Sequence, residues 1–279
     1  MPATAEIQID SGFGNHIRGR VNSNRFAESI HQHCTDGEKD ECRKRVLRHI
    51  LDIHPAGGMR LLSFPSSRWT FERMLKEEYR NLTLIGIERD SRTFHRGIAW
   101  MPVHPGTSPH PIIDFEQYAK ARFLVAENHR TRFLNIDLTT FLRIRRSTIF
   151  VGGEGHKFTR RFRGWSAIWL DFTSMLCPDV ERALAELHGG VDGAIDDVPV
   201  AVTVMKGREP EDTQNKMFAL QCDRAGFIGK LIGSGMADRC VVDGEHEYRS
   251  ASGSTMLTVF GRIKTHSAPR GNPRQFEWS

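Results

Sequence analysis

From residue 59 onward, short apolar runs alternate with stretches of helical spacing. Arg60–Phe64 reads as a strand, Pro65-Ser66-Ser67 as a turn offering helix N-caps, and Trp69–Tyr79 as a helix in which Phe71 and Leu75 stack four apart. Three further apolar runs each end on an acid: Leu82–Glu88, Arg132–Asp137 and Ala167–Asp171. Carboxylates at the C-terminal edge of successive parallel strands face the crevice where open α/β sheets bind nucleotide-like ligands. Ser91–Trp100 and Asp114–Ala126 are expected to be helical, with the proline-rich stretch Met101–Pro111 as a loop between them. A helix opening at Pro178 and stopped by Gly189-Gly190 leads to Val198–Met205, whose apolar run fits a strand buried on both faces. Gln214–Ile232 is expected as one helix, and Arg239–Arg249 with Thr255–Lys264 as a terminal hairpin. The expected fold is α/β: a doubly wound, mostly parallel seven-stranded sheet with a C-terminal antiparallel hairpin.

Three segments follow from this pattern. Residues 1–56 form a helical N-terminal extension, with helices expected at Phe26–His33 and Glu41–Ile53, residues 57–265 form the sheet domain, and 266–279 form a flexible tail. The 279 residues are 39% hydrophobic and 26% charged, and no run approaches the roughly 18 apolar residues of a membrane span. The N-terminal residues have neither a basic nor an apolar leader region, so a cytoplasmic location is expected. Five scattered cysteines do not suggest a disulfide framework. The net charge of +5 is uneven: Lys120–Arg163 holds eleven Lys or Arg against Glu127, Asp137 and Glu154, a local excess of +8. Within it Lys157, Arg160, Arg161 and Arg163 interleave with Phe158, Phe162 and Trp165, residue types that grip phosphates and stack bases. DNA or RNA is therefore a candidate partner, and oligomeric state is not readable.

Five strand-helix units closed by a hairpin resemble the class I S-adenosylmethionine-dependent methyltransferases over roughly residues 59–264. The run Gly86-Ile-Glu-Arg-Asp90 carries the resemblance best. It implies that Glu88, with Arg89 beside it, binds the ribose hydroxyls, and that Asp137 and Leu138 approach the adenine. Asp171 and Thr173, ending the fourth strand, would face the methyl donor and acceptor. One ionised carboxylate can accept from both ribose hydroxyls, which supports Glu88 independently of the family.

The sequence departs from the family where the first strand should enter a glycine-rich turn, because Ser63-Phe64-Pro65-Ser66-Ser67 stands there and Pro65 has no amide donor. Either the hydroxyls of Ser63, Ser66 and Ser67 replace backbone contacts, with Phe64 alongside, or the site holds something else, or nothing. Two functions are thus open, methyl transfer to a nucleic acid or other acidic substrate and a catalytically silent scaffold that binds nucleic acid or a protein partner; a third, methyl transfer to a small molecule, would leave the Arg-rich stretch without purpose. His31, His33, Cys34, Cys42, His49 and His54 match no zinc spacing, and no metal is expected.

Overall fold

The computed structural model describes residues 37–54, 57–66, 68–102, 113–116, 122–127, 130–144, 150–152, 157–158, 164–191, 195–233 and 239–265. The expected helix at Phe26–His33, the loop tip after Pro102, and the tail fall outside them. In chain order the elements are α1 (Gly37–Ile53), β1 (Met59–Ser63), α2 (Thr70–Glu78), β2 (Leu82–Glu88), α3 (Ser91–Ile98), β3 (Ile113–Glu116), β4 (Arg122–Glu127), β5 (Thr131–Asn135), α4 (Leu138–Ile144), β6 (Phe150–Gly152), β7 (Lys157–Phe158), β8 (Ala167–Asp171), α5 (Pro178–Leu187), β9 (Asp197–Met205), α6 (Glu211–Ala219), α7 (Arg224–Ile232), β10 (Cys240–Arg249) and β11 (Thr255–Lys264).

They build one sheet in the order β10-β11-β9-β8-β1-β2-β5-β4-β3-β6-β7. The central strands pair in parallel, β9 to β8, β8 to β1, β1 to β2 and β2 to β5. Winding starts at β1, runs outward through β2 to β5, and returns to β8 on the other side of β1. The β1/β8 boundary is therefore the switch point, where the strand ends open a crevice. The expected hairpin is present: β11 lies antiparallel between β9 and β10.

Alternation along each strand divides the core into two layers. Leu62, Ile85, Ile87, Ile168 and Leu170 face α4, α5 and α7, while Leu61, Leu82, Leu84 and Trp169 face α1, α2 and α3. The helix that the sequence assigns to the extension is part of the second layer, for Cys42, Val46 and Ile50 of α1 are buried in it. The compact unit begins at Glu38.

Two expectations are corrected. Asp114–Ala126 is not a helix: it contains β3 and β4, which continue the sheet antiparallel beyond β5 and lead on to β6 and β7. Phe123 and Val125 of β4 are buried at a spacing of two, and such aromatic and β-branched residues pack well on a pleated surface. Gln214–Ile232 is two helices. Gln221 adopts a left-handed φ of 48°, and Asp223 then caps α7 by accepting from the Gly226 N–H at 2.7 Å.

Gly86 in β2 is closely packed beneath the turn that follows β1. A Cβ there would lie 2.7 Å from the Trp69 ring, 2.8 Å from Pro65 Cγ and 3.0 Å from Phe133. Gly86→Ala should lower stability by about 1.5 kcal/mol, the usual order of cost for overpacking. A shifted urea midpoint with unchanged slope is the expected reading, and an unshifted midpoint would show that the rings yield freely.

Candidate functional site at the strand ends

The turn after β1 takes its shape from Trp69. This residue holds a left-handed backbone, φ 55° and ψ 35°, just before α2, a conformation usually left to glycine. Its N–H donates to the Ser66 carbonyl at 3.0 Å, and its indole Nε1 donates to the Gly97 carbonyl at 3.0 Å. The ring meets Phe133 edge-on with centroids 4.9 Å apart. Pro65 is buried with its ring against Gly86, so the side chain that replaces a glycine is packed against β2. Ser66 remains exposed, Ser67 lies outside the described residues, and Phe64 stands edge-on to Phe172 in the opposite layer at 5.0 Å.

Glu88 ends β2 half-buried. Its Oε1 accepts from the Asp90 N–H at 2.6 Å, and burial raises its pKa against the lowering effect of the Asp90 and Arg89 amides. Arg89 is exposed. Asn135, which the sequence reading passed over, fixes this tip by donating from Nδ2 to the Glu88 and Arg89 carbonyls at 2.9 and 3.1 Å. Asp137 lies just past β5, not within it. Its Oδ1 accepts from the Thr140 N–H at 2.8 Å and so caps α4, whose first residue, Leu138, is buried. Both acids thus sit at adjacent strand tips, each bonded to a backbone N–H of the segment that follows its strand.

Asp171 ends β8 beside the switch point. Its Oδ2 lies 2.8 Å from Lys39 Nζ of α1, with side-chain exposures of 13% and 29%. On the same face are Ser63 at the end of β1, in register with Trp169, and Glu72 in the first turn of α2. Glu72 is fully buried, and desolvation raises its carboxyl from 4.5 to about 7. Its own backbone N–H, the nearby Ser63 hydroxyl and the positive charge of Arg43 act in the opposite direction, whereas Asp171 adds to the rise. Among the described residues, Ser63 Oγ, Glu72 Oε1, Asp171 Oδ1 and Trp169 Nε1 are buried without completing a hydrogen bond. Cys42 Sγ and Thr258 Oγ1 are 3.1 Å apart, Thr258 Oγ1 and Thr203 Oγ1 2.8 Å apart, and burial pushes the Cys42 thiol up to about 11. That thiol is a packing group and not a nucleophile.

Thr173, paired with Asp171 in the sequence reading, is exposed in the turn after β8. Lys157 lies in β7, while Arg160, Arg161 and Arg163 lie outside the described residues. Neither Glu72 nor Lys39 was singled out from sequence. Glu72 reads as an ordinary acid in the first turn of a helix, and Lys39 reaches Asp171 across 132 positions (171 minus 39) with no local signal. No cluster of metal-binding side chains occurs among the described residues, and no helix there is long and apolar enough to cross a membrane.

Strand order, switch point and closing hairpin together define an α/β protein with the class I methyltransferase arrangement. No protein-family description matches the chain, and no curated protein matches it. Among solved structures it is similar to the N-methyltransferase NodS from Bradyrhizobium japonicum WM9, at 10% identity and TM-score 0.48, covering 82% of this chain and 98% of that one. It is similar also to human methyltransferase-like protein 13 in complex with SAH, at 12% identity and TM-score 0.44, covering 85% of each chain. A third is the 1,6-didemethyltoxoflavin-N1-methyltransferase of Burkholderia thailandensis, at 10% identity and TM-score 0.42, covering 86% of each. The fold assignment rests on the sheet's own topology.

Proposed function

We propose that this protein is a methyltransferase that binds S-adenosylmethionine at the β1, β2 and β5 tips and transfers its methyl group to an acceptor beside Asp171. The observation that carries the reading is Glu88: a half-buried carboxyl at the tip of β2, next to the switch point of a doubly wound sheet. The residues present fit the nucleoside. Glu88 offers a carboxylate to the ribose diol, Asp137 an acceptor to the adenine amino group, and Leu138 an apolar wall. In the β1 turn the glycine-like path survives through Trp69, and the Pro65 ring is packed away against Gly86. Ser63 and Ser66 supply hydroxyls there.

When bound, the cofactor would supply an electrophilic methyl on a sulfonium. The chain's own contribution is to hold acceptor and donor in line, which is where most of such a rate enhancement arises. A nucleic acid or other acidic molecule as the acceptor's carrier is supported by the +8 excess between Lys120 and Arg163. Calorimetric titration with S-adenosylmethionine tests the cofactor directly, and absence of heat at millimolar ligand would remove it. Glu88→Ala should weaken binding about tenfold, as expected for losing a charged hydrogen-bond acceptor. An unchanged affinity would place the ribose elsewhere.

The second reading, a silent scaffold that binds nucleic acid, is favoured by one feature: Pro65 offers no N–H in the β1 turn. It would be distinguished by DNA or RNA binding that weakens steeply with salt while labelled S-adenosylmethionine transfers no methyl group.

A further inference from the structure

Glu88 and Asn135 stand opposite each other in the parallel pair β2 and β5, and the Ile136 N–H donates to the Glu88 carbonyl at 3.0 Å. Were β2 to continue, the carbonyls of residues 88 and 89 would point to opposite sides of the strand. One atom reaches both. Asn135 Nδ2 donates to the Glu88 carbonyl at 2.9 Å and to the Arg89 carbonyl at 3.1 Å, so the chain bends here and β2 ends at Glu88. The bend closes on the Glu88 side chain, whose Oε1 accepts from the Asp90 N–H at 2.6 Å, and Asp90 then opens α3 by accepting from the Thr93 N–H at 2.7 Å.

Asparagine suits this place because its amide nitrogen carries two donors at short reach, where serine offers one and aspartate none. The tie also comes from a neighbouring strand and not from the bending segment itself. The bend is therefore held before any ligand arrives, and a carboxylate held in this way loses little freedom on binding.

We infer that Asn135 is the positioning residue for ribose recognition: by clamping two successive carbonyls it fixes the bend that holds the Glu88 carboxylate ready for a sugar diol. This rests on the methyltransferase reading for its ligand. The clamp itself needs no ligand, and it acts on the sugar only through Glu88.

The first measurement is amide hydrogen exchange on the full-length protein without ligand. Exchange of the Asp90 N–H should quicken about tenfold in Asn135→Ala, the order expected for loss of hydrogen-bonded support. Asn135→Asp, equal in shape but without the donors, should do the same. The Gly226 N–H, bonded to Asp223 at the start of α7, should keep its rate in both variants and so report an intact fold. The second measurement is calorimetric titration with S-adenosylhomocysteine and with its 2′,3′-dideoxy counterpart. Both variants should bind the ribose form about tenfold more weakly than the wild type and the dideoxy form with unchanged affinity. Asn135→Ala combined with Glu88→Ala should bind no more weakly than Glu88→Ala alone, since groups that act through one another do not add. Unchanged Asp90 exchange, equal weakening of both ligands, or full additivity with Glu88→Ala would overturn the assignment. Wild-type binding of S-adenosylhomocysteine that both variants retain in full removes this inference alone, whereas a wild type that does not bind it removes the cofactor reading and this inference with it.

Discussion

Trp69→Ala should destabilise the protein by about 4 kcal/mol, and Trp69→Gly by about 1 kcal/mol less, although glycine leaves the larger hole. The first figure follows from emptying a fully buried site that touches Gly86 and Phe133 and from losing the indole bond to the Gly97 carbonyl. The inversion follows from the backbone. At φ 55° any residue with a Cβ crowds the adjoining carbonyl, and glycine does not. Tryptophan tolerates the position because its ring is locked between β2, α3 and β5. Urea denaturation of the two variants is the measurement. An alanine variant as stable as the glycine variant would mean that the turn relaxes once the ring is gone, and that its glycine-like path is imposed from the core.

Glu72→Gln should raise stability at pH 8 by about 2 kcal/mol and remove a pH dependence that the wild type shows. The sign follows from proton binding. In the unfolded chain the carboxyl releases its proton near 4.5, while in the fold burial holds it to about 7. The folded state binds more protons in that interval, so stability is full below about pH 4.5, declines as pH rises, and levels off above pH 7. The gross cost is about 3 kcal/mol, from the energy equivalent of a displaced pKa, and an amide recovers most of it while bringing donor and acceptor needs of its own. Urea midpoints of both proteins across pH 4 to 9 check this, and a parallel decline in the variant would assign the pH dependence to other groups.

Much of the sheet was legible because its strands are locally distinct. Val198–Met205 is apolar but for Thr203, as fits a central strand, and Glu88 closes a run apolar but for Thr83. Asp114–Ala126 reads as a helix from sequence because a short strand pair carries too few residues to separate period two from helical spacing, and pairing with β5 decides between them. The break at Gln221 had no glycine or proline to mark it.

By itself the sequence determined most of the central strands and helices, the acids at or just past the strand tips, and the closing hairpin, since each depends on residue type and spacing within a dozen positions. Tertiary structure alone decided which acid does what. Asp137 became a helix cap, Pro65 turned under against Gly86, and Lys39 met Asp171 across the switch point. The buried Ser63, Glu72 and Asp171 cluster exists only because three elements distant in the chain close over it, and its charge balance is set by desolvation that no local pattern records.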